Sequence, residues 1–153
     1  MSRMIFVNLP VENLERSKSF YEALGFRNEP KFSNDAAAMM VLSDTISVML
    51  LTKPFYSSFT DRPIADTHRT SAVLLCISCD SPAEVDRIID AAAAAGGKID
   101  QSPRSETGDG PMYGRDFEDP DGHQWEPMWM NPAFAEKGAH PVEESAQPTA
   151  VSA

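Results

Sequence analysis

Cysteine is nearly missing from this chain, with two in 153 residues, too few for a disulfide scaffold. A chain of this length buries roughly two-thirds of the surface it exposes when unfolded, so it needs neither disulfides nor a structural metal for stability. Basic residues are also scarce, 13 Lys and Arg against 23 Asp and Glu. The formal net charge of -10 offers no attraction to nucleic acid or to an anionic lipid surface. Long hydrophobic runs are absent as well. The longest, Ile46 to Leu51 and Ala91 to Ala95, fall far short of the roughly twenty residues that span a bilayer. The opening Met1-Ser2-Arg3-Met4-Ile5-Phe6-Val7 enters a β-like segment with no apolar leader or small-residue cleavage site, the pattern of a cytoplasmic chain. A small neutral or locally selected ligand is the partner these absences leave.

What is present is ordered. Met4 to Val11 is rich in β-formers, and Asn13 then stands at an N-cap position ahead of Leu14, Phe20, Tyr21 and Leu24, which recur at helical spacing. Gly25 ends that helix, expected over Leu14 to Leu24, and Phe26 covers its end. Ala37 to Leu42 and Ile46 to Leu51, joined by Ser43-Asp44-Thr45, read as strand, turn and strand, with a weaker strand near Phe32. Lys53 to Thr70 reads as a connection carrying a short helix. Its aromatics Phe55, Tyr56 and Phe59 are expected to pack that helix, with an aromatic lid as the alternative.

The pattern then repeats. Ser71 to Cys79 is a β-run, Ser81-Pro82-Ala83-Glu84 is a capping box with proline at N1, and Val85, Ile88, Ile89 and Ala92 mark one helix face ended by Gly96-Gly97. Ile99 resumes extended structure, and strands at Met112 to Glu118 and His123 to Met130 flank the Asp119-Pro120-Asp121-Gly122 turn. Two βαβββ modules, about 4–62 and 70–131, make a duplicated α+β unit over 1–131. Two such open, strongly curved sheets enclose a cleft lined by alternate side chains. Beyond it, 132–153 is a Pro/Ala/Glu-rich tail, expected to be mobile or to dock on a partner subunit.

Two stretches resemble a known superfamily. The run Phe6-Val7-Asn8-Leu9-Pro10-Val11-Glu12-Asn13-Leu14 through Ser19-Phe20-Tyr21-Glu22-Ala23-Leu24-Gly25-Phe26 is similar to the opening of vicinal-oxygen-chelate (VOC) proteins, the glyoxalase, bleomycin-resistance and dioxygenase superfamily. Phe117-Glu118-Asp119-Pro120-Asp121-Gly122-His123-Gln124-Trp125-Glu126 resembles their final hairpin. The resemblance covers about Met4 to Met130 and implies the fold, but not one reaction, because that fold hosts lyases, isomerases, dioxygenases, thiol transferases and drug-binding proteins. It also implies a homodimer.

Metal-dependent members place ligands at four positions, which here match Phe6, Leu50 (or Met49 if the register is one residue off), Leu74 and Glu126. Phenylalanine and leucine donate nothing, a thioether prefers soft metals, and one carboxylate is too few for a catalytic centre of about three protein ligands. No cofactor is expected, and a divalent metal is disfavoured. The alternative is an apolar cleft with Phe6, Asn8, Leu50, Leu74, Cys76, Tyr113, Arg115 and Glu126 as candidate ligand-binding residues. Glu126, near Phe6 and Leu74 with no cation to pair with, is the candidate general base or ligand-bonding group. Satisfaction by an arginine or tyrosine across the cleft is the structural alternative for Glu126.

Other features carry less. Cys76 and Cys79 match Cys-x-x-Cys, but in a strand their odd separation sends the sulfurs to opposite faces, so two reduced thiols are expected. His123 and Glu126 likewise point oppositely, His68 lies in the linker and His140 in the tail, so no histidine is placed as a base. Gly108-Asp109-Gly110-Pro111 lacks the context of a phosphate-binding loop. Tyr113 and Arg115 share a strand face, from which Arg115 is positioned to clamp an anionic group or pair with Glu126, while Asp116 points the other way. Sequence alone leaves open which set faces the cleft. The expected function is a small-molecule-binding protein with a degenerate metal site. The alternative is an enzyme, a lactoylglutathione lyase-like lyase or isomerase or a dioxygenase, metal-dependent or using Glu126.

Overall fold

A computed structural model describes residues 1–102 and 110–137. The Gly108-Asp109 turn, His140 and the tail from 138 onward lie outside the described residues. Strand β1 (Ile5–Val11) leads into helix α1 (Leu14–Ala23). Asn13 caps this helix, accepting from the Arg16 N–H at 3.0 Å. Gly25, at φ 99°, reverses the chain where an L side chain would be strained. β2 (Arg27–Glu29), β3 (Ala37–Val41) and β4 (Ile46–Thr52) complete the first sheet, in the order β1-β4-β3-β2. The strand expected near Phe32 is displaced to β2. Pro30 opens a 3-10 turn over Pro30–Phe32 instead, since a ring-locked φ with no N–H suits a helical first turn better than a ladder.

The second sheet has the equivalent order. β5 (Leu74–Ser78) pairs with β9 (Gln124–Met130), and β9 pairs on its other side with β7 (Met112–Gly114) and β8 (Phe117–Glu118), with β6 (Lys98–Ile99) outermost. Between β5 and β6 lies helix α3 (Pro82–Ala94), whose Ser81 hydroxyl accepts from the Glu84 N–H at 3.1 Å. The single strand expected over Met112 to Glu118 is interrupted at Arg115 and Asp116, opposite Pro127, which has no N–H to give to the ladder. Short helix α2 (Lys53–Ser57) and helix α4 (Pro132–Lys137) complete the described elements.

Both modules contribute to one core. Leu9, Val11, Phe20, Tyr21, Val48 and Leu50 of the first pack in the same cluster as Val85, Ile89, Phe117 and Trp125 of the second. Phe117 and Trp125 stack at 6.2 Å and 4°, and Tyr21 meets Trp125 edge-on at 6.0 Å. The helices thus cover one face of each sheet, and the two sheets are not closed on one another. Of the linker aromatics Tyr56 is half-buried, whereas Phe59 is 69% exposed and contacts Phe55 edge-on at 5.0 Å. No helix among the described residues is long and apolar enough to cross a membrane.

Candidate functional site

Register decides what faces the open side of each sheet, because neighbours across a ladder share a face. In the second module Cys76 lies opposite Glu126, Leu74 opposite Gln124 and Ser78 opposite Met128. The alternate set, Leu75, Ile77 and Trp125, belongs to the core or packs against it. Leu74, Cys76, Gln124, Glu126 and Met128 therefore form the open face. Two adjoining hollows lie on it. One, of about 330 Å³, includes Leu74, Gln101, Asp116, Glu118, Gln124 and Glu126 in its lining. The other, of about 80 Å³, is lined by Cys76, Ser102, Met112, Gly114, Arg115, Asp116, Glu126 and Met128. Glu126, Asp116 and Ser102 border both.

Polar groups in this groove differ in how they are satisfied. Asp116 accepts from the backbone N–H groups of Gln101 at 2.8 Å and Ser102 at 3.2 Å, which pins the chain entering the groove. Gln124 has a buried Oε1 with no hydrogen-bond partner among the described residues. An orphaned buried amide oxygen costs about 1–3 kcal/mol. The Glu126 carboxylate has no hydrogen bond or ion pair among the described residues. Burial, and then the charge of Glu126, raise the Cys76 thiol above its ordinary range. Cys79, beyond the end of β5, sits in the core and is pushed up to about 11, by burial first and then by Glu84.

The first module presents Phe6 and Asn8 on the face away from its helix, with Met49 and the buried Ser47 opposite them. Leu50 pairs with Leu9, is fully buried and belongs to the core, so its placement in the cleft is corrected in favour of Met49. Phe6 and Asn8 border neither hollow around Glu126, since every described residue lining those hollows lies in 71–128. The sequence-predicted residues thus divide. Leu74, Cys76 and Glu126 come together on one face, and Phe6 and Asn8 lie apart on the other sheet.

Tyr113 and Arg115 do share a face, but it is the helix side. The Tyr113 hydroxyl donates to Asp86 of α3 at 2.6 Å. Arg115 donates to Asp86 at 2.9 Å and to both oxygens of Asp100 at 3.0 and 2.6 Å. Its guanidinium is committed to those carboxylates, which raise its pKa further, and it does not pair with Glu126. Asp86 is held below the usual carboxylate range by the Tyr113 hydroxyl and then Arg115, and Asp100 by Arg115. Asp116 faces the groove instead. Gln124, Met128 and Asp116 are among the groove residues that sequence reasoning missed. Counting by twos from Glu126 identifies the first two.

The turn between β8 and β9 carries a second polar cluster that joins the modules. Asp121 accepts from the Glu12 N–H at 2.8 Å and from the Ser17 hydroxyl at 3.0 Å. Asp119 accepts from the Tyr21 hydroxyl at 2.6 Å, and that oxygen accepts from the Trp125 indole at 3.0 Å. His123 is buried, with Nε2 at 2.7 Å from the Pro10 carbonyl, not a plain turn-end residue. Burial raises the Asp119 carboxyl. Burial and then Asp119 push the Tyr21 phenol well above its ordinary range. Asp119, Asp121 and His123 are therefore architectural.

The four family ligand positions do not fit a hard divalent ion. Phe6 and Leu74 have no donor, Leu50 is in the core, Met49 offers a thioether and only Glu126 offers oxygen. Among the described residues no three His, Cys, Asp or Glu side chains converge.

The family model described as the Glyoxalase/Bleomycin resistance protein/Dioxygenase superfamily matches residues 3–126. A hypothetical protein from S. aureus is similar at 25% identity, with TM-score 0.68, over 84% of this chain and 94% of that one. A glyoxalase/bleomycin resistance protein/dioxygenase family enzyme from Burkholderia phytofirmans has 15% identity and TM-score 0.66, over 84% and 99%. A glyoxalase-related enzyme from Fulvimarina pelagi has 21% identity and TM-score 0.65, over 84% and 88%. The last two likenesses concern the fold alone. Comparison with curated proteins returns no match.

Proposed function

Because the chain belongs to the glyoxalase/bleomycin resistance protein/dioxygenase superfamily, we propose that it binds a small organic molecule in the groove on the open face of its second module, beside Glu126. The observation that carries this reading is a hollow of about 330 Å³ lined by Gln124 and Glu126, a size within the usual range for small-molecule sites, with a Glu126 carboxylate that no described residue engages. Leu74 supplies apolar surface, and Gln124 and Glu126 supply orientation. Two free thiols suit the reducing cytoplasm. The open sheet faces, with Phe6 47% and Leu74 56% exposed, favour a homodimer. Thermal-shift screening against metabolites and drugs tests the site. A ligand at 100 times its Kd stabilises by about 2.7 kcal/mol, and Glu126→Gln and Gln124→Leu each weaken a genuine groove ligand at least about tenfold. Hits indifferent to both substitutions overturn the assignment.

A second reading is catalysis of a lyase, isomerase or dioxygenase type, with Glu126 moving the proton. It is favoured by a carboxylate that no described residue engages. Product analysis on each hit separates it from binding alone. A general base at Glu126 requires turnover that falls about 10²–10⁴-fold in Glu126→Gln.

A further inference from the structure

Away from Glu126, another open hollow lies between β1 and the linker, and it shares no lining residue with the two around Glu126. β1 contributes Asn8 and Pro10, α2 contributes Tyr56, the linker contributes Arg62 and Ile64, and the second module contributes His123. β1 is an edge strand. Among the described residues the linker forms no ladder with it, and neither Pro10 nor Pro63 has an N–H to give to one. The linker therefore passes β1 without extending the sheet, and a space is left between them.

Charge sets this hollow apart. The chain carries 23 Asp and Glu against 13 Lys and Arg, yet no described side chain lining the hollow is acidic. Its His123 ring holds Nε2 at 2.7 Å from the Pro10 carbonyl, so that nitrogen carries a proton and the ring is neutral or cationic. By contrast, Asp116, Glu118 and Glu126 line the larger groove of the second module, and Glu12, Asp66 and Asp121 line an adjoining hollow that shares Ile64 and Thr67 with this one. In that adjoining hollow the cations are engaged, Arg16 by Asp121 at 3.5 Å and Lys53 by Glu12 at 2.6 Å. Arg27, Arg87 and Arg115 are paired with carboxylates as well. The Arg62 guanidinium makes no hydrogen bond or ion pair among the described residues; only its backbone N–H is tied, to the Thr60 hydroxyl at 3.2 Å. Asp61 precedes it in the chain but does not line the hollow.

A free guanidinium presents a planar fork of donors that matches a carboxylate. One such group matches one negative charge, which favours a carboxylate over a doubly charged phosphate. We propose that this hollow binds a small organic carboxylate, with the charged end on Arg62 and the apolar body against Pro63 and Ile64. Tyr56 and Asn8 serve polar groups further along the molecule and need not meet Arg62 at one point. Arg62 is exposed, so binding is weak and falls as salt screens the charge. The site is separate from the groove beside Glu126, and neither depends on the other.

The test uses the full chain with benzoate as the probe and with benzamide and benzylamine as its neutral and cationic counterparts, followed by amide proton–nitrogen correlation spectra at millimolar ligand. Benzoate is expected to move the signals of Asn8, Tyr56, Arg62 and Ile64, and its two counterparts are not. Arg62→Gln changes an exposed side chain without bonds to the described residues, and is expected to weaken benzoate at least about tenfold. Glu126→Gln leaves benzoate binding unchanged, which distinguishes this site from the groove. Shifts scattered over the surface, benzamide bound as tightly as benzoate, an affinity indifferent to Arg62→Gln, or no shift at all overturn the carboxylate site. Should the variant fail to fold, intermolecular NOEs in the parent protein decide the question. Contacts from the benzoate ring to the Ile64 methyl groups support the site. Contacts elsewhere, or none, reject it.

Discussion

The oxygen of Tyr21 joins two groups that burial makes costly to leave alone: it donates to Asp119 at 2.6 Å and accepts from the Trp125 indole at 3.0 Å. Tyr21→Phe removes both bonds at once without changing the ring that packs against Phe26 and Trp125. Phenylalanine leaves a buried carboxyl short of a donor and an indole N–H unpaired. The expected loss is about 2–4 kcal/mol in urea unfolding, and a change below half a kcal/mol would show that water replaces the hydroxyl. Arg115 works on the opposite side of the second module, with a different pH signature. Asp86 and Asp100 have folded pKa values below their unfolded ones. The stability they provide is therefore present above the unfolded carboxylate value near 4 and is lost as pH falls through the lower folded values. Arg115→Gln is expected to destabilise by about 1 kcal/mol at pH 7, a small figure because both carboxylates are half exposed. The difference from the parent shrinks towards zero below pH of about 4. A difference that persists at pH 2 would assign the effect to packing of the arginine stem instead.

Strands and turns show where the sequence is readable and where it is not. On β9 the groove residues Gln124, Glu126 and Met128 alternate with Trp125 and Pro127, and the period of two is visible because one face is covered and the other is open. β4 hides its phase, since Ser47, Val48, Leu50 and Leu51 are all buried. A run apolar on both faces has no period to read, and for that reason Leu50 and Met49 could not be ordered without coordinates. The Asp119-Pro120-Asp121-Gly122 turn was legible as a turn, but its partners Ser17 and Tyr21 lie about 100 positions away, beyond any local pattern. Hence the two stretches that carry the family resemblance bond to each other, and the signature records how the modules are fastened rather than what they bind. Gly122 marks the tightest point. At φ 82° its missing Cβ would meet the Thr67 carbonyl oxygen at 2.7 Å, and the Thr67 hydroxyl donates to the Asp121 carbonyl at 2.6 Å. Gly122→Ala is expected to cost about 1–3 kcal/mol through a strained φ and a displaced linker. Limited proteolysis then shows faster cleavage in 58–73, and an unchanged rate would mean that the linker is held elsewhere.

At the scale of the molecule, the shared core uses the helix-covered face of each sheet, and among the described residues the starts of the two opening strands are left exposed. Met4, Ile5, Phe6, Val73 and Leu74 are each about half exposed, and they cluster at the starts of β1 and β5, the strands that open the two modules. Exposed apolar surface of this kind is costly in a monomer, and the proposed homodimer would cover it by an isologous contact, in which the same patch meets itself across a two-fold axis. The net charge of -10 opposes association at long range, so the contact is expected to strengthen as salt screens the repulsion. Phe6→Glu/Leu74→Glu places four extra carboxylates in the two-fold contact without touching the core. Light scattering on the size-exclusion peak is expected to give the dimer mass for the parent and the 16.8 kDa monomer mass for the variant, with intact secondary structure in both. A parent chain that stays monomeric at micromolar concentration in 0.5 M salt would overturn the dimer. A variant that remains dimeric would move the interface to another surface.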